Sequence, residues 1–351
     1  MNALQIVCTR VARNAVRRCS GGRRRMLTSS ASAASPESRV TENAADDTHF
    51  GFQQVPSKMK KGMVKGVFTS VAHNYDVMND LMSAGQYFST NQWLHRVWKD
   101  EFVNMIGILP GYEAGSPAPK VLDVAGGTGD IAFRVADQLR PYIFGESSSS
   151  SAEIVDADGQ VQAGEDGRSS GGGGGGGVDI PLLTVSDINP DMLKVVGEER
   201  AAERFSEETL GHMQFVQADA EALPFEDNSF HIYTIAFGLR NVTDIDKALR
   251  EAHRVLKPGG RFMCLEFSRV PIEPLQQAYD WYSFNVIPQI GQVVAKDRDA
   301  YQYLVESIRM FPGQDELEER LSTAGFKVVS HRNLTAGVVA VHSGFKMPRK
   351  G

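Results

Sequence analysis

The chain has 351 residues, of which 42% are apolar and 23% are charged, and this ordinary composition favours one main folded domain of about 200 to 250 residues with additional segments. Its formal net charge is −6. Residues 1–36 contain seven arginines and no acidic residue, and the rest of the chain has a net charge of −13. No stretch reaches the roughly 18 apolar residues that a membrane-spanning helix needs, and no cluster of His or Cys residues offers a metal centre, so we expect no metal and at most peripheral membrane contact.

The basic N-terminus is typical of a mitochondrial presequence. Leu4, Val7 and Val11 share one face of a predicted helix, arginines occupy another face, and the segment contains no Asp or Glu. We therefore predict a presequence over residues 1–35, followed by a disordered linker over residues 36–62. A basic arm that binds nucleic acid is the alternative, but no aromatic or basic patch later in the chain supports it.

The main domain is expected over residues 63–351. Apolar residues recur at helical spacing between Val64 and Ile108, which predicts helices that precede and cap a sheet. Strands then alternate with helices: strands over 120–124, 182–186, 213–217, 232–236 and 261–267, and helices over 130–139, 190–204 and 244–256. A closing antiparallel hairpin is predicted over 326–331 and 337–345. The alternation predicts an α/β fold with a mostly parallel sheet covered by helices on both faces.

A low-complexity segment interrupts this alternation at residues 144–179. It contains a run of serines from Ser147 to Ser151 and a run of glycines from Gly171 to Gly177. Because such a sequence cannot bury enough apolar surface to order itself, we predict a disordered insertion in a surface connection. A phosphate-binding glycine loop would need a strand before it and a helix after it, and neither is predicted.

The strongest candidate site lies where the strand containing Asp123 runs into the turn Gly126-Gly127-Thr128-Gly129 and a helix that begins at Asp130. Glycines at a strand-to-helix turn let the backbone approach a bound cofactor closely. A dinucleotide-binding turn would have the spacing G-x-G-x-x-G, and Asp130 would repel a phosphate at the helix N-terminus. The pattern favours a cofactor without phosphate, such as S-adenosyl-L-methionine, although a short glycine turn alone is also compatible with a plain tight turn.

Further acids follow the next two strands. Asp187 ends the second strand, where a carboxylate can accept both ribose hydroxyls. Asp219 follows the third strand, where it can accept the adenine amino group beside the small Ala220. A single acid in such a place is more often a helix cap, but acids at three successive strand ends are not easily explained as caps. The residues of the turn that join this predicted cofactor site are Asp123, Gly127, Thr128 and Gly129.

Several motifs carry a resemblance to a known family. They are Tyr-Asp-Val-Met-Asn at 75–79, Ala-Glu-Ala-Leu-Pro-Phe at 220–225, Phe-Gly-Leu-Arg-Asn-Val-Thr at 237–243, Arg-Val-Leu-Lys-Pro-Gly-Gly at 254–260, Leu-Glu-Phe-Ser at 265–268 and Tyr-Gln-Tyr-Leu-Val-Glu-Ser-Ile at 301–308. From about Val67 to Lys346 the chain resembles the class I S-adenosylmethionine-dependent methyltransferases and, more closely, the ubiquinone and menaquinone biosynthesis C-methyltransferases.

The resemblance implies the class I fold, with a seven-stranded, mostly parallel sheet, helices on both faces and an N-terminal helical cap. It implies S-adenosyl-L-methionine as the cofactor, held at Thr128, Asp187, Asp219, Ala220 and Ala236. The last of these is often serine in bacterial relatives, and alanine has no hydroxyl for a hydrogen bond at that point. Residues 86–93 look inserted in a region that should cover the acceptor, and either a longer lid or an erroneous gene model would explain them.

The resemblance also implies how the acceptor is activated. Methylation of an aromatic carbon needs electron density, which a quinol supplies when a hydroxyl loses its proton, so the site must stabilise an oxyanion. Arg240, with Asn241 beside it, follows a strand whose carboxyl end faces the cofactor; arginine stays protonated, so we expect electrostatic stabilisation rather than proton abstraction. Asp76 or His95 would be the base, or a water would accept the proton. A purely structural Arg240 is the alternative.

The implied function is C-methylation of a methoxy-polyprenyl-benzoquinol ring in ubiquinone biosynthesis, on the matrix side of the mitochondrial inner membrane. The implied partners are this polyprenyl benzoquinol, other coenzyme Q biosynthesis proteins and the membrane surface; a homodimer is left open, and no nucleic acid is expected. A small-molecule O- or N-methyltransferase and a non-catalytic scaffold of the coenzyme Q complex remain alternatives. An NAD-dependent oxidoreductase is disfavoured by the glycine spacing.

Overall fold

The computed structural model describes residues 47–71, 86–87, 92–107, 118–144, 181–294 and 296–348. The predicted presequence, Asp76 and residues 145–179 of the predicted insertion lie outside these described residues. Within the described ranges, no helix has the length and apolar content needed to cross a bilayer.

The ordered domain begins earlier than predicted. Strands β1 (Asp47–Phe50) and β2 (Gln53–Pro56) pair as an antiparallel hairpin, and helix α1 (Ser57–Val71) follows. The prediction of a linker over residues 36–62 is therefore wrong from residue 47 onward. The segment has few apolar residues, but the Phe50 ring stacks on Tyr303 with ring centroids 4.0 Å apart. Such a long-range contact orders the hairpin, and nothing in the local sequence reveals it.

The centre of the domain is a seven-stranded sheet. Its strands are β5 (Val121–Val124), β6 (Leu183–Asp187), β7 (Met213–Gln217), β8 (Phe230–Ala236), β9 (Leu256–Phe267), β10 (Lys327–Leu334) and β11 (Val339–Phe345). A separate short pair, β3 (Gln86–Tyr87) and β4 (Gln92–Trp93), lies in the segment that looked inserted.

The strand order is β10-β11-β9-β8-β5-β6-β7. Strands β5 to β9 run parallel to one another, and β11 is antiparallel to both β9 and β10. The predicted mostly parallel sheet and its closing antiparallel hairpin are thus confirmed. The chain order reverses at β5, which lies between β6 and β8, and open α/β sheets bind ligands at the carboxyl ends of the strands at such a point.

Helices cover both faces of the sheet, as predicted. They are α2 (Leu94–Ile106), α3 (Asp130–Phe144), α4 (Pro190–Lys194, continued by a wider π-helical stretch Val195–Ala201 and by Ala202–Arg204), α5 (Glu207–Gly211), α6 (Ile245–Val255), α7 (Glu273–Asn285), α8 (Ile287–Val294), α9 (Arg298–Met310) and α10 (Gln314–Thr323). Alternation along β9 divides the core: Met263 and Leu265 belong to the apolar cluster that includes α2 and α3, while Phe262 and Cys264 belong to the one that includes α6 and α10. The four helices α7 to α10 were not predicted.

Candidate active site

A cavity opens at the carboxyl ends of β5, β6, β7 and β8. Besides these strand ends, its wall contains Lys61, Val64 and Phe68 of α1. The predicted site residues in this wall are Gly127, Asp187, Asp219, Ala220, Ala236 and Asn241. A smaller cavity adjoins it, and its wall contains the predicted Asp123 and Thr128 together with Lys99 and Asp130. The fold therefore brings the predicted cofactor residues together around two adjoining spaces, which we call the larger and the smaller cavity.

The glycine turn after β5 is shaped for close approach. Gly127 has φ +54° and Gly129 has φ +83°, in the left-handed region that side chains rarely enter. A Cβ atom on Gly126 would lie 2.5 Å from Cγ1 of Val185, so the contact between the turn and β6 has room only for glycine. The Gly129 carbonyl accepts a hydrogen bond from the Phe133 amide at 2.8 Å, which links the turn to the first turn of α3. Gly129 itself is absent from both cavity walls, so its part is to shape the turn.

Asp187 is held in place by backbone amides. Its Oδ2 accepts a hydrogen bond from the Gly127 amide at 3.0 Å, and its Oδ1 accepts one from the Asn189 amide at 2.8 Å. Burial raises the pKa of this carboxyl group, and the amide hydrogen bonds oppose that effect. Each carboxylate oxygen can accept a second hydrogen bond, so a fixed Asp187 in the cavity wall is suited to bind two neighbouring hydroxyls of a ribose.

Asp219 already has a charged partner from α1. Its Oδ1 accepts a hydrogen bond from the Glu221 amide at 3.0 Å, while its Oδ2 pairs closely with Nζ of Lys61. The same Nζ lies 3.6 Å from Oε2 of Glu221. An adenine amino group that donates to Asp219 would therefore have to compete with Lys61.

Helix α1 also ties together the loops that follow β7 and β8. Lys60 is only 2% exposed, and it donates to the carbonyl of Val242 at 2.8 Å. The Thr243 amide in turn donates to Oε1 of Glu221 at 2.7 Å. Burial lowers the pKa of Lys60 to about 8, although the charge of Glu221 opposes the shift. The segment predicted as a linker thus supplies Lys61 to the wall of the larger cavity and Lys60 to the loop that follows β8.

Asp123 lies beneath the glycine turn and is 1% exposed. Its Oδ1 accepts a hydrogen bond from the Thr234 hydroxyl at 2.6 Å, but its Oδ2 has no hydrogen-bond partner among the residues that the structure describes. Burial raises the pKa of Asp123 to about 7; the charge of Asp187 adds to the shift, while hydrogen bonding from the Thr234 hydroxyl and the Ala132 amide opposes it. A buried carboxylate oxygen in this state needs a donor, because an unsatisfied buried polar group is costly.

The two residues of the predicted catalytic pair, Asn241 and Arg240, lie in different environments. Asn241 lines the larger cavity, and its Oδ1 accepts a hydrogen bond from the Tyr303 hydroxyl at 3.0 Å. Arg240 is 5% exposed; its Nη1 lies 3.1 and 3.0 Å from the two carboxylate oxygens of buried Glu266 and 2.6 Å from the Phe237 carbonyl. Arg240 is absent from both cavity walls, and Glu266 compensates its charge.

The two candidate bases are differently placed. His95 is buried in α2 and belongs to neither cavity wall. Burial lowers its pKa to about 3, with the charges of Lys99 and Arg96 adding to the shift, so the imidazole is neutral at physiological pH. Asp76 lies outside the described residues.

Sequence reasoning missed two cationic wall residues. Lys61 was missed because it fell in the predicted linker. Lys99 was missed although a signal exists: it lies between Trp98 and Phe102 on the buried side of α2, and a charged residue among core positions usually has a partner or a ligand.

These groups fit S-adenosyl-L-methionine. The buried, unsatisfied Oδ2 of Asp123 calls for a donor such as an ammonium group, and Asp187 and Asp219 offer acceptors for a ribose and an adenine. A phosphate fits poorly, because Asp130 places a carboxylate in the first turn of α3, where a dinucleotide would need its pyrophosphate.

The sequence model of the ubiE/COQ5 methyltransferase family matches residues 56–346 of the chain. The chain belongs to this family. The carboxylates of the two cavity walls fit the cofactor of such enzymes, and the chain is an S-adenosyl-L-methionine-dependent methyltransferase.

Curated relatives in the family are similar over most of their length. The protein named 2-methoxy-6-polyprenyl-1,4-benzoquinol methylase, mitochondrial, of Rattus norvegicus is 47% identical, covering 94% of this chain and 93% of the relative. The proteins of the same name from Dictyostelium discoideum and Homo sapiens are 46% identical, covering 87% of this chain and 88% and 86% of the relatives. Among solved structures, a SAM-dependent methyltransferase of Thermotoga maritima is 15% identical with a TM-score of 0.46, covering 81% of this chain and 99% of its own. The assignment to the family rests on the sequence matches, and the strand order supports it.

Proposed function

We propose that the chain transfers the methyl group of S-adenosyl-L-methionine to a ring carbon of a methoxy-polyprenyl-benzoquinol in ubiquinone biosynthesis. The observation that carries this proposal is the identity of 46 to 47%, over 87 to 94% of the chain, with relatives named for that reaction. The larger cavity supports it, because its wall combines the cofactor acceptors with apolar side chains such as Val64, Phe68 and Phe237, which suit an aromatic acceptor.

The cofactor would supply an electrophilic methyl group attached to a sulfonium. The neutral thioether that remains after methyl transfer is a good leaving group. We assign Asp187 to the ribose, Asp219 and Ala220 to the adenine, and Asp123 with Gly127, Thr128, Gly129 and Ala236 to the methionine end and the turn that surrounds it. Holding the donor and the acceptor carbon in line accounts for much of the acceleration, because proximity and orientation remove an entropic barrier.

Asn241 is the residue proposed to meet the acceptor. Its Oδ1 is occupied by Tyr303, and its Nδ2 lies 3.4 Å from the Phe237 carbonyl, which leaves an amide N–H for a quinol oxygen that is losing its proton. Arg240 is proposed to stabilise the same oxyanion. Because its guanidinium is paired with Glu266, its main proposed role is to hold in place the turn that carries Asn241. The proton acceptor is proposed to be Asp76, His95 or a water.

The site of action is proposed to be the matrix side of the mitochondrial inner membrane. The arginine-rich residues 1–35 support import, and a polyprenyl substrate resides in a membrane. Exposed apolar side chains on and near α7 and α8 support peripheral contact with that membrane or with other coenzyme Q biosynthesis proteins: Ile272, Leu275, Trp281 and Val293. A homodimer is compatible with this arrangement.

The proposal is tested with cofactor carrying a labelled methyl group and a short-tailed demethyl quinol. We expect label on a ring carbon of the product, located by mass spectrometry and NMR. Asp187→Ala should lower kcat/KM by about 100-fold, because two charge-assisted hydrogen bonds to the cofactor are lost. Asp191→Ala, which removes an exposed carboxylate nearby, should leave it unchanged.

Other outcomes select the alternatives. Label on oxygen or nitrogen would identify an O- or N-methyltransferase. Cofactor binding without turnover by the unmodified protein, across a series of quinols, would identify a non-catalytic scaffold.

A further inference from the structure

We propose that Lys99 binds the α-carboxylate of the cofactor's methionine end, while Asp123 of the same cavity wall binds the α-ammonium group. The inference rests on the proposed cofactor site and adds a residue that neither the turn motif nor the family motifs assign. It concerns the smaller cavity, whose wall contains a cation and two carboxylates close to the glycine turn.

Lys99 is placed for this role by the packing of α2. Its neighbours Trp98 and Phe102 are buried in the core, and Lys99 itself is only 3% exposed. Its Nζ lies 2.5 Å from Oδ2 of Asp130, beside the glycine turn. A lysine so far from solvent needs an anion within reach, since an unpaired buried charge is strongly unfavourable.

The positive charges around Asp130 exceed its single negative charge, so a second anion would be favourable there. Its carboxylate faces Lys99 at 2.5 Å and Arg200 at 3.7 Å. Burial opposes its ionisation, but the charges of Lys99, Arg134 and Arg200 outweigh burial and lower its pKa. Arg134 has its own partner, Asp100, at 2.6 Å. Lys99 and Arg200 therefore share the carboxylate of Asp130, and of these two cations Lys99 is the one in the wall of the smaller cavity.

Asp123, in the wall of the same cavity, has the opposite demand. Its Oδ2 is buried and has no hydrogen-bond partner among the described residues. Asp187, which lines the larger cavity next to it, is also acidic. An α-amino acid group carries a carboxylate and an ammonium on one carbon, so it would provide a partner for both Lys99 and Asp123.

A purely structural Lys99–Asp130 pair, which fixes α2 to α3, is the competing explanation. The two explanations differ in what the loss of the lysine does to ligand selectivity. A structural pair affects all cofactor analogues alike, whereas a carboxylate-binding lysine affects only those that carry the carboxylate.

The test is calorimetric titration with S-adenosyl-L-methionine and with decarboxylated S-adenosylmethionine, which keeps the sulfonium and the amine. We expect the unmodified protein to bind the carboxylate-bearing compound at least about 10-fold more tightly, as a charge-assisted hydrogen bond requires. In Lys99→Met this preference should fall to within about 3-fold. Arg96→Met removes a charge from the exposed side of the same helix and should keep the full preference.

Folding is checked by thermal denaturation of each variant. If Lys99→Met does not fold, Lys99→Gln serves as the neutral variant, and Lys99→Arg should keep most of the preference. A neutral variant with unchanged preference, or an unmodified protein with none, would overturn the assignment of Lys99. Binding of neither compound by the unmodified protein would instead overturn the cofactor site on which the inference rests.

Discussion

Arg240 shows at the scale of one residue how position in a sequence and position in a structure can suggest different roles. The sequence places it at a strand end beside the cofactor, yet its guanidinium is buried against Glu266. Removing one partner of a buried ion pair leaves an uncompensated charge and costs about 3–5 kcal/mol. We expect Arg240→Met to lower the free energy of unfolding by that amount in urea titrations and to abolish methyl transfer.

The double variant Arg240→Met with Glu266→Gln separates the two roles. It should recover most of the lost stability. Recovered methyl transfer would show that Arg240 only positions the turn of Asn241, whereas a stable but inactive double variant would support direct stabilisation of the oxyanion. A single variant as stable as the unmodified protein would contradict the importance of the pair.

Lys61 is a second residue whose effect can be predicted. Its ion pair with Asp219 is partly exposed, with 40% and 26% of the two side chains accessible, so it contributes at most about 1 kcal/mol in salt. Because the adenine amino group is proposed to bind the same carboxylate, we expect Lys61→Met to bind the cofactor about 2- to 5-fold more tightly in calorimetry at low salt. Lys58→Met, on the exposed side of α1, is the control, and weaker binding by Lys61→Met would contradict the competition.

The raised pKa of Asp123 predicts that both stability and cofactor binding depend on pH. Burial raises its pKa in the folded protein to about 7, above the ordinary value of about 4 for an aspartate, so its contribution to stability is present at low pH and is lost as the pH rises from about 4 through 7. A bound ammonium group favours the charged carboxylate, so cofactor binding near pH 6 should release a proton. Calorimetry in buffers of different ionisation enthalpy measures this release. Asp123→Asn should remove it, and an equal release by that variant would assign the proton to another group, such as Asp187.

At the scale of elements, the N-terminal hairpin and helix are the main correction to the sequence prediction. Val55 and Val64 are buried, Thr48 donates to the Thr243 carbonyl at 3.2 Å, and Lys60 holds the neighbouring Val242 carbonyl. We expect a chain that starts at residue 63 to lose at least about 3 kcal/mol of unfolding free energy and to bind the cofactor weakly. A chain that starts at residue 45 is the control, and equal behaviour of the two would restore the predicted linker.

The elements that were predicted share a strong local pattern. Each strand from β5 to β8, and the second half of β9, is a short and largely apolar run next to turn residues. Helix α6 has a single apolar face formed by Ala248, Leu249, Ala252 and Val255. Helix α7 lacks such a face: its only buried residue is Ser283, and Trp281 is 59% exposed. Helices of this kind depend on neighbours such as α8 and α9 for their stability, and periodicity does not reveal them.

At the scale of the whole molecule, residues 145–179 test how much of the chain the fold needs. They connect α3 to β6 in sequence, and their composition has little apolar content. Closing a longer loop costs only about 0.6 kcal/mol for each doubling of its length. We expect replacement by a short Gly-Ser linker to change the unfolding free energy by less than about 1 kcal/mol and to leave methyl transfer intact. Loss of turnover in a stably folded variant would give the insertion a function.

The sequence by itself determined the α/β class, the order of the central elements and the acids at the carboxyl ends of β5, β6 and β7, because strand and turn patterns are local and parallel strands place their ends at one edge. Only the tertiary structure decided that Lys61 faces Asp219, that Lys99 faces Asp130 and that Glu266 holds Arg240. Each of these contacts joins residues from different elements of the chain. A buried charge needs a partner, so burial determines which charges must be paired. Burial in turn depends on the packing of the whole domain.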